Sequence, residues 1–135
     1  MIQPGIKGTQ ELLVDEKVTA KALGSGLLEV FSTPAMIALI EGTALQSVQP
    51  LLGEGQGTVG TKLDIVHLKA TPVGMRVRCE TLLTEVDRRR LVFHADVYDE
   101  CELIGTGTHE RFIIEDQRFL EKTYEKMQTR QNEHS

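Results

Sequence analysis

An α+β fold, with a curved antiparallel sheet of about five strands wrapped around one long central helix, is predicted by three features of this sequence. The stretch FSTPAMIALIEGTALQSV, from Phe31 to Val48, is apolar over so much of its helical circumference that it must be covered on most sides. One strand-like segment precedes it and four follow, with apolar residues recurring at every second position. The last three are separated by the polar turns DRR and DEC, which read as tight hairpin connections. A chain of 135 residues has the size of one domain with a real core, so a single domain over residues 1–135 is expected.

Taken in order, residues 7–23 are rich in Val and Thr, alternate at Leu12 and Val14, and read as the first strand. Gly24, Ser25 and Gly26 break that pattern into a loop leading to Phe31. Thr33 followed by Pro34 marks a helix start: Thr33 is the expected N-cap, and Pro at the first helical position forfeits no hydrogen bond. Pro50 and the glycines of LLGEGQGTVG end the helix. TKLDIVHLKA then alternates, with Leu63, Ile65 and His67 on one face and Lys62, Asp64 and Val66 on the other. Pro72 and Gly74 punctuate a turn before MRVRCETLLTEV. In RLVFHADVYD, Leu91, Phe93, Ala95 and Val97 share a face. In ELIGTGTHERFII, Leu103, Gly105, Gly107, His109, Arg111 and Ile113 lie on one face and Ile104, Thr106, Thr108, Phe112 and Ile114 on the other. The tail from about residue 116 to 135 places Phe119, Leu120, Tyr124 and Met127 at helical spacing, giving a short terminal helix and a frayed end. The four later strands read as a meander, and the whole arrangement is a hotdog fold. An uncovered sheet edge or face makes a homodimer the expected assembly, with a tetramer of paired dimers left open.

Composition narrows the function. A net charge of −5 opposes general nucleic-acid binding, and with no Trp and only 4% aromatic residues base-stacking platforms are also disfavoured. No run approaches the roughly 18 apolar residues of a membrane span. MIQPGIKGTQ lacks the apolar core of a secretory signal, so a cytoplasmic location is expected. Cys79 and Cys101 have no metal-site spacing and read as small, buried or half-buried thiols, and no metal is expected.

The polar residues inside apolar surroundings are the candidates for chemistry. Glu41 interrupts the helix, either at a wet helix edge or as a carboxylate tuned by burial. It follows Thr33 by eight residues, which leaves the two about 80° apart around a helix and roughly 12 Å apart along it, so they can line one groove. His67 is either a hydrogen-bonded core histidine or a reactive one, and His94 reads as solvated. His109 shares its face with two glycines and Arg111, which indicates either close approach by a ligand or another backbone, or a bent strand with a surface ion pair. GTVGT is too weak for a phosphate loop, although Gly57 and Gly60 can offer amides to an oxyanion. Arg88, Arg89 and Arg90 form a hairpin tip that can also meet phosphates.

The segments VFSTPAMIALIE, GTVGTKLDIVHLKATPVGMRV and GTGTHER together resemble the fluoroacetyl-CoA thioesterase family of hotdog enzymes, in that family's order and over roughly residues 7–125. The resemblance implies a catalytic set of Thr33, Glu41 and His67, with the Gly60 amide near the thioester oxygen. It implies hydrolysis of a small acyl-CoA, with no cofactor beyond the CoA of the substrate. Phe31, Lys69, His109 and Arg111 are the candidate substrate-binding residues. The segment GSGLLEVF ahead of Thr33 departs from the family's aromatic lid, since Phe31 is its only aromatic residue, which leaves another short or branched acyl group as open as fluoroacetyl. Two other classes remain open: a non-catalytic acyl-CoA binding or sensing module, and a hotdog enoyl-CoA hydratase.

Overall fold

The computed structural model describes residues 2–134, with side chains through residue 130. Strand β1 (Lys7–Leu13) is followed by a 3-10 turn (Glu16–Val18) and a short helix α1 (Ala20–Leu23). The long helix α2 (Thr33–Val48) comes next, then strands β2 (Gln56–His67), β3 (Arg76–Asp87), β4 (Arg90–Tyr98) and β5 (Leu103–Glu115), and helix α3 (Asp116–His134). The five strands form one antiparallel sheet in the order β1-β3-β4-β5-β2, and α2 packs into its concave face. No helix among the described residues is long and apolar enough to cross a membrane.

Side-chain capping decides several boundaries. The expected strand over residues 7–23 stops at Leu13 because Asp15 takes the Lys17 amide and Thr19 takes the Ala22 amide, and Gly24 in the left-handed region then closes α1. At α2 the cap is Ser32, whose Oγ accepts the Ala35 amide at 3.1 Å, so Thr33 is the first helical residue rather than the N-cap. The terminal helix is not short: it runs through His134, across the polar stretch after Met127 that is expected to fray, and Ser135 lies outside the described residues.

The meander holds for β3, β4 and β5 but not for β2, which pairs with β5 at the far edge. Residues 68–75 carry the chain from that edge across the sheet. The Phe31 amide bonds to the Thr71 carbonyl, the Gly74 amide to the Val14 carbonyl, and Thr71 Oγ1 donates to Asp99 Oδ2 at 2.8 Å. Irregular pairing near the β4–β5 turn, where Val97 faces Gly105 but Tyr98 faces Leu103, swings Ile104 into the core, against the alternation that placed it on the opposite face. The glycines of β5 accommodate protein rather than ligand: a Cβ on Gly107, at φ 155°, would collide with the Asp64 carbonyl, and one on Gly105 would meet the Met36 sulfur.

Met36 and Ile40 anchor one part of the core with Phe31, Val77, Cys79, Val97 and Ile104, while Ala44 and Val48 meet Leu83, Leu91 and Phe93 in the other. Burial pushes the Cys79 thiol up to about 11, whereas Cys101 is exposed, contrary to the expectation of two sheltered thiols. The sheet wraps α2 as expected but leaves part of its circumference to solvent. Ile37, Glu41 and Leu45 are only half-buried and Ala38 is exposed, a stripe that the sheet covers only in part. Ile40→Ala, at a position with no solvent exposure, is expected to cost about 2–5 kcal/mol in chemical denaturation, while exposed Leu27→Ala stays within about 0.5 kcal/mol.

Candidate active site

Capping by Ser32 frees the Thr33 hydroxyl to leave the helix. It shares a 2.7 Å hydrogen bond with His67 Nδ1 at the end of β2. The buried edge of Phe31 props the same imidazole, with ring centres 6.5 Å apart and planes at 71°. A cavity of about 270 Å³, lined by Val30, Phe31, Thr33, His67, Leu68 and Lys69, opens beside the pair. His67 Nε2 is buried and has no hydrogen-bond partner among the described residues, while Nδ1 shares a hydrogen bond with the Thr33 hydroxyl. Burial lowers its pKa below the usual histidine value, and a backbone hydrogen-bonding group of Lys69 opposes that shift.

A second polar group lies further along α2. Glu41 Oε2 faces Arg111 Nη1 at 3.4 Å, with the Glu41 side chain 39% exposed and that of Arg111 6%. Glu41 is therefore at a wet helix edge rather than deeply buried. Gly60 lies directly under the carboxylate: a Cβ there would run into Glu41 Oε2. Arg111 is held by Thr58, with Nε donating to Oγ1 at 2.8 Å and Nη2 to the carbonyl at 3.0 Å, and its Nη1 is 3.2 Å from His109 Nε2. His109 has no solvent exposure, and its Nδ1 lies 2.8 Å from the Lys62 carbonyl. Both nitrogens of His109, a candidate substrate-binding residue, are thus engaged within the chain.

The predicted residues thus form two units: Thr33 with His67, Phe31 and Lys69, and Glu41 with Gly60, Arg111 and His109. The profile of the fluoroacetyl-CoA-specific thioesterase family matches residues 14–117. The chain belongs to that family. It is also 37% identical over 98 residues to the fluoroacetyl-CoA thioesterase of Streptantibioticus cattleyicolor, covering 73% of this chain and 70% of that one. The solved structure of the fluoroacetyl-CoA thioesterase FlK superposes with a TM-score of 0.89 at 31% identity, covering 93% of this chain and 98% of that one. A threonine-to-serine variant of FlK, solved in complex with acetyl-CoA, superposes with a TM-score of 0.88 at 30% identity over the same shares. A Thermus thermophilus thioesterase superfamily member superposes at 0.86 with 25% identity, covering 98% of this chain and 97% of that one.

In this family member, Ser32, Thr58 and the link from Arg111 to Glu41 escaped the sequence reading. The available signal was charge balance: a carboxylate on an otherwise apolar helix calls for a cation, and Arg111 is an arginine on an alternating strand face. Other candidates fall away. His94 is solvent-exposed and meets Asp96 at 3.1 Å, and Arg90 is taken by Glu85 and Glu110, which leaves Arg88 and Arg89 as the hairpin tip. Because folding lowers the pKa of His67 and of His109, the unfolded chain binds protons first as pH falls. Stability from these groups is full above the ordinary value of about 6.5 and is lost as pH drops through the depressed folded values. The urea midpoint is therefore expected to be lower at about pH 5.5 than at about pH 7.5, and His67→Gln to narrow that difference.

Proposed function

We propose that this chain hydrolyses a small acyl-CoA thioester to the free acid and CoA, using Glu41, His67 and Thr33 with the Gly60 amide. The observation that carries this reading is the Thr33–His67 hydrogen bond at a cavity, with the second imidazole nitrogen unpartnered among the described residues, in a chain of a thioesterase family. Glu41 takes a proton from water as it attacks the thioester carbonyl. The oxyanion forms against the Gly60 N–H, where one such donor is commonly worth about 3 kcal/mol. On collapse the C–S bond breaks and the proton that Glu41 took from water passes to the departing thiolate, while neutral His67 donates a hydrogen bond from Nε2–H to the sulfur and accepts one at Nδ1 from the Thr33 hydroxyl. No cofactor is invoked beyond the CoA carried by the substrate, and the setting is cytoplasmic.

A homodimer belongs to the same proposal. β2 is an edge strand, Leu63, Val66 and Leu68 are exposed at its end, and the half-buried Ile37–Glu41–Leu45 stripe carries the carboxylate. A second copy on that face would cover the stripe and bring its own Glu41–Gly60 unit towards the Thr33–His67 pair.

For the acyl group, the segment before Thr33 presents Leu27 and Leu28 to solvent while Phe31 is buried, so no aromatic lid covers the cavity. This supports a short or branched acyl group rather than strict selection of fluoroacetyl. Incubation with fluoroacetyl-, acetyl-, propionyl- and isobutyryl-CoA in the presence of a thiol reagent is expected to release CoA. Binding without release would identify a sensor, and consumption of an enoyl-CoA without thiol a hydratase. Glu41→Gln is expected to lower kcat by about 10²–10⁴-fold with the fold intact by circular dichroism, and unchanged turnover would remove Glu41 from the mechanism.

A further inference from the structure

His109 is fully buried on β5, its ring 6.2 Å from that of Phe93 and inclined by 28°. The chemistry of its two neighbours specifies its protonation. The Lys62 carbonyl only accepts, so Nδ1 carries the hydrogen and donates to it, and a guanidinium only donates, so Nε2 is a lone pair accepting from Arg111 Nη1. The two hydrogens of Nη1 are thereby divided between His109 at 3.2 Å and Glu41 at 3.4 Å, while Nε and Nη2 are held by Thr58. Lys62 comes directly after the irregularity in β2 that begins at Gly60, so the same imidazole ties that backbone to the guanidinium.

We propose that His109 is a positioning residue for the reaction: a permanently neutral imidazole whose Nε2 lone pair turns Arg111 towards Glu41 and so holds the carboxylate over Gly60. It acts on the chemistry only through Arg111. A proton on Nε2 would set N–H against N–H and release the guanidinium, so the neutral form is part of the device. The groups facing it are Arg111 and Glu110 on β5, Glu41 on α2 and Lys62 on β2, with the Phe93 ring on β4. Burial and the Arg111 charge favour the neutral ring, against the Lys62 hydrogen bond and the two carboxylates.

The inference rests on the hydrolase reading, and two substitutions divide the ring's functions. His109→Gln puts a carbonyl oxygen near the Nε2 position and keeps an acceptor for Arg111. His109→Asn puts an amide N–H near the Nδ1 position and keeps only the donor to Lys62. With acyl-CoA as substrate, Gln is expected to hold kcat within about threefold and Asn to lose it on the order of 10²-fold, both with KM within about threefold. Each variant gives up one buried hydrogen bond, so their melting temperatures should fall together. Equal losses of kcat, or losses that track melting temperature, would overturn the proposal. Long-range ¹H–¹⁵N correlation on the intact protein supplies a readout without turnover: His109 is expected to remain the Nδ1–H tautomer from about pH 5 to 8. Titration in that range, or the Nε2–H tautomer, would also overturn it. A neutral Nδ1–H ring in a protein that releases no CoA from any thioester would support this geometry and overturn the hydrolase reading instead.

Discussion

Everything in this structure depends on seating α2 in the concave face of the sheet. Met36 and Ile40 lose all solvent contact there, and Gly105 lacks a side chain where the Met36 sulfur lies. Burial of such side chains is worth about 1.5–3 kcal/mol each, so the helix has little freedom to rotate or slide. Its two polar residues inherit that precision. Thr33 is carried to the end of β2 and Glu41 to the middle of the same strand, over Gly60. The cap completes the arrangement, because Ser32 satisfies the free amide and leaves the Thr33 hydroxyl available for His67.

The second constraint is the arginine inside the strand layer. A buried guanidinium is costly unless its donors are occupied, and Arg111 has partners for Nε, Nη1 and Nη2 in Thr58, His109 and Glu41. This explains how an alternating strand tolerates His109 and Arg111 on its inward face next to the core residues Leu91 and Phe93. It also gives Glu41 a cation on its inner side and solvent on the other. The half-buried stripe around Glu41 and the edge strand β2 lie on this side of the molecule.

Local chemistry carried by one residue type was legible in the sequence: Pro34 near the helix start, the buried alternation of Leu91, Phe93, Ala95 and Val97, and the polar hairpin turns all stand where expected. Legibility failed where a side chain outside the pattern intervened. Asp15 and Thr19 convert a Val- and Thr-rich run into a 3-10 turn and a short helix by capturing amides. Pairing irregularity moves Ile104 to the core, because one extra residue in a strand reverses the face of its neighbours beyond that point. At Gly105 and Gly107 close approach is one of two readings, and periodicity can neither choose it nor say by what; the neighbours are Met36 and the Asp64 backbone.

By itself the sequence determined a long apolar helix and a succession of alternating strands, hence a sheet wrapped on a helix, because hydrophobic period and turn chemistry are local properties. It also marked Thr33, Glu41, His67 and Gly60 through their resemblance to a known motif set. Only the tertiary structure decided that β2 pairs with β5 rather than β3, since strand order depends on how residues 68–75 cross the sheet. Only it joined Thr33 to His67, 34 residues away, and Glu41 to Arg111, 70 residues away. Such pairings are products of packing, and no period in the chain encodes them.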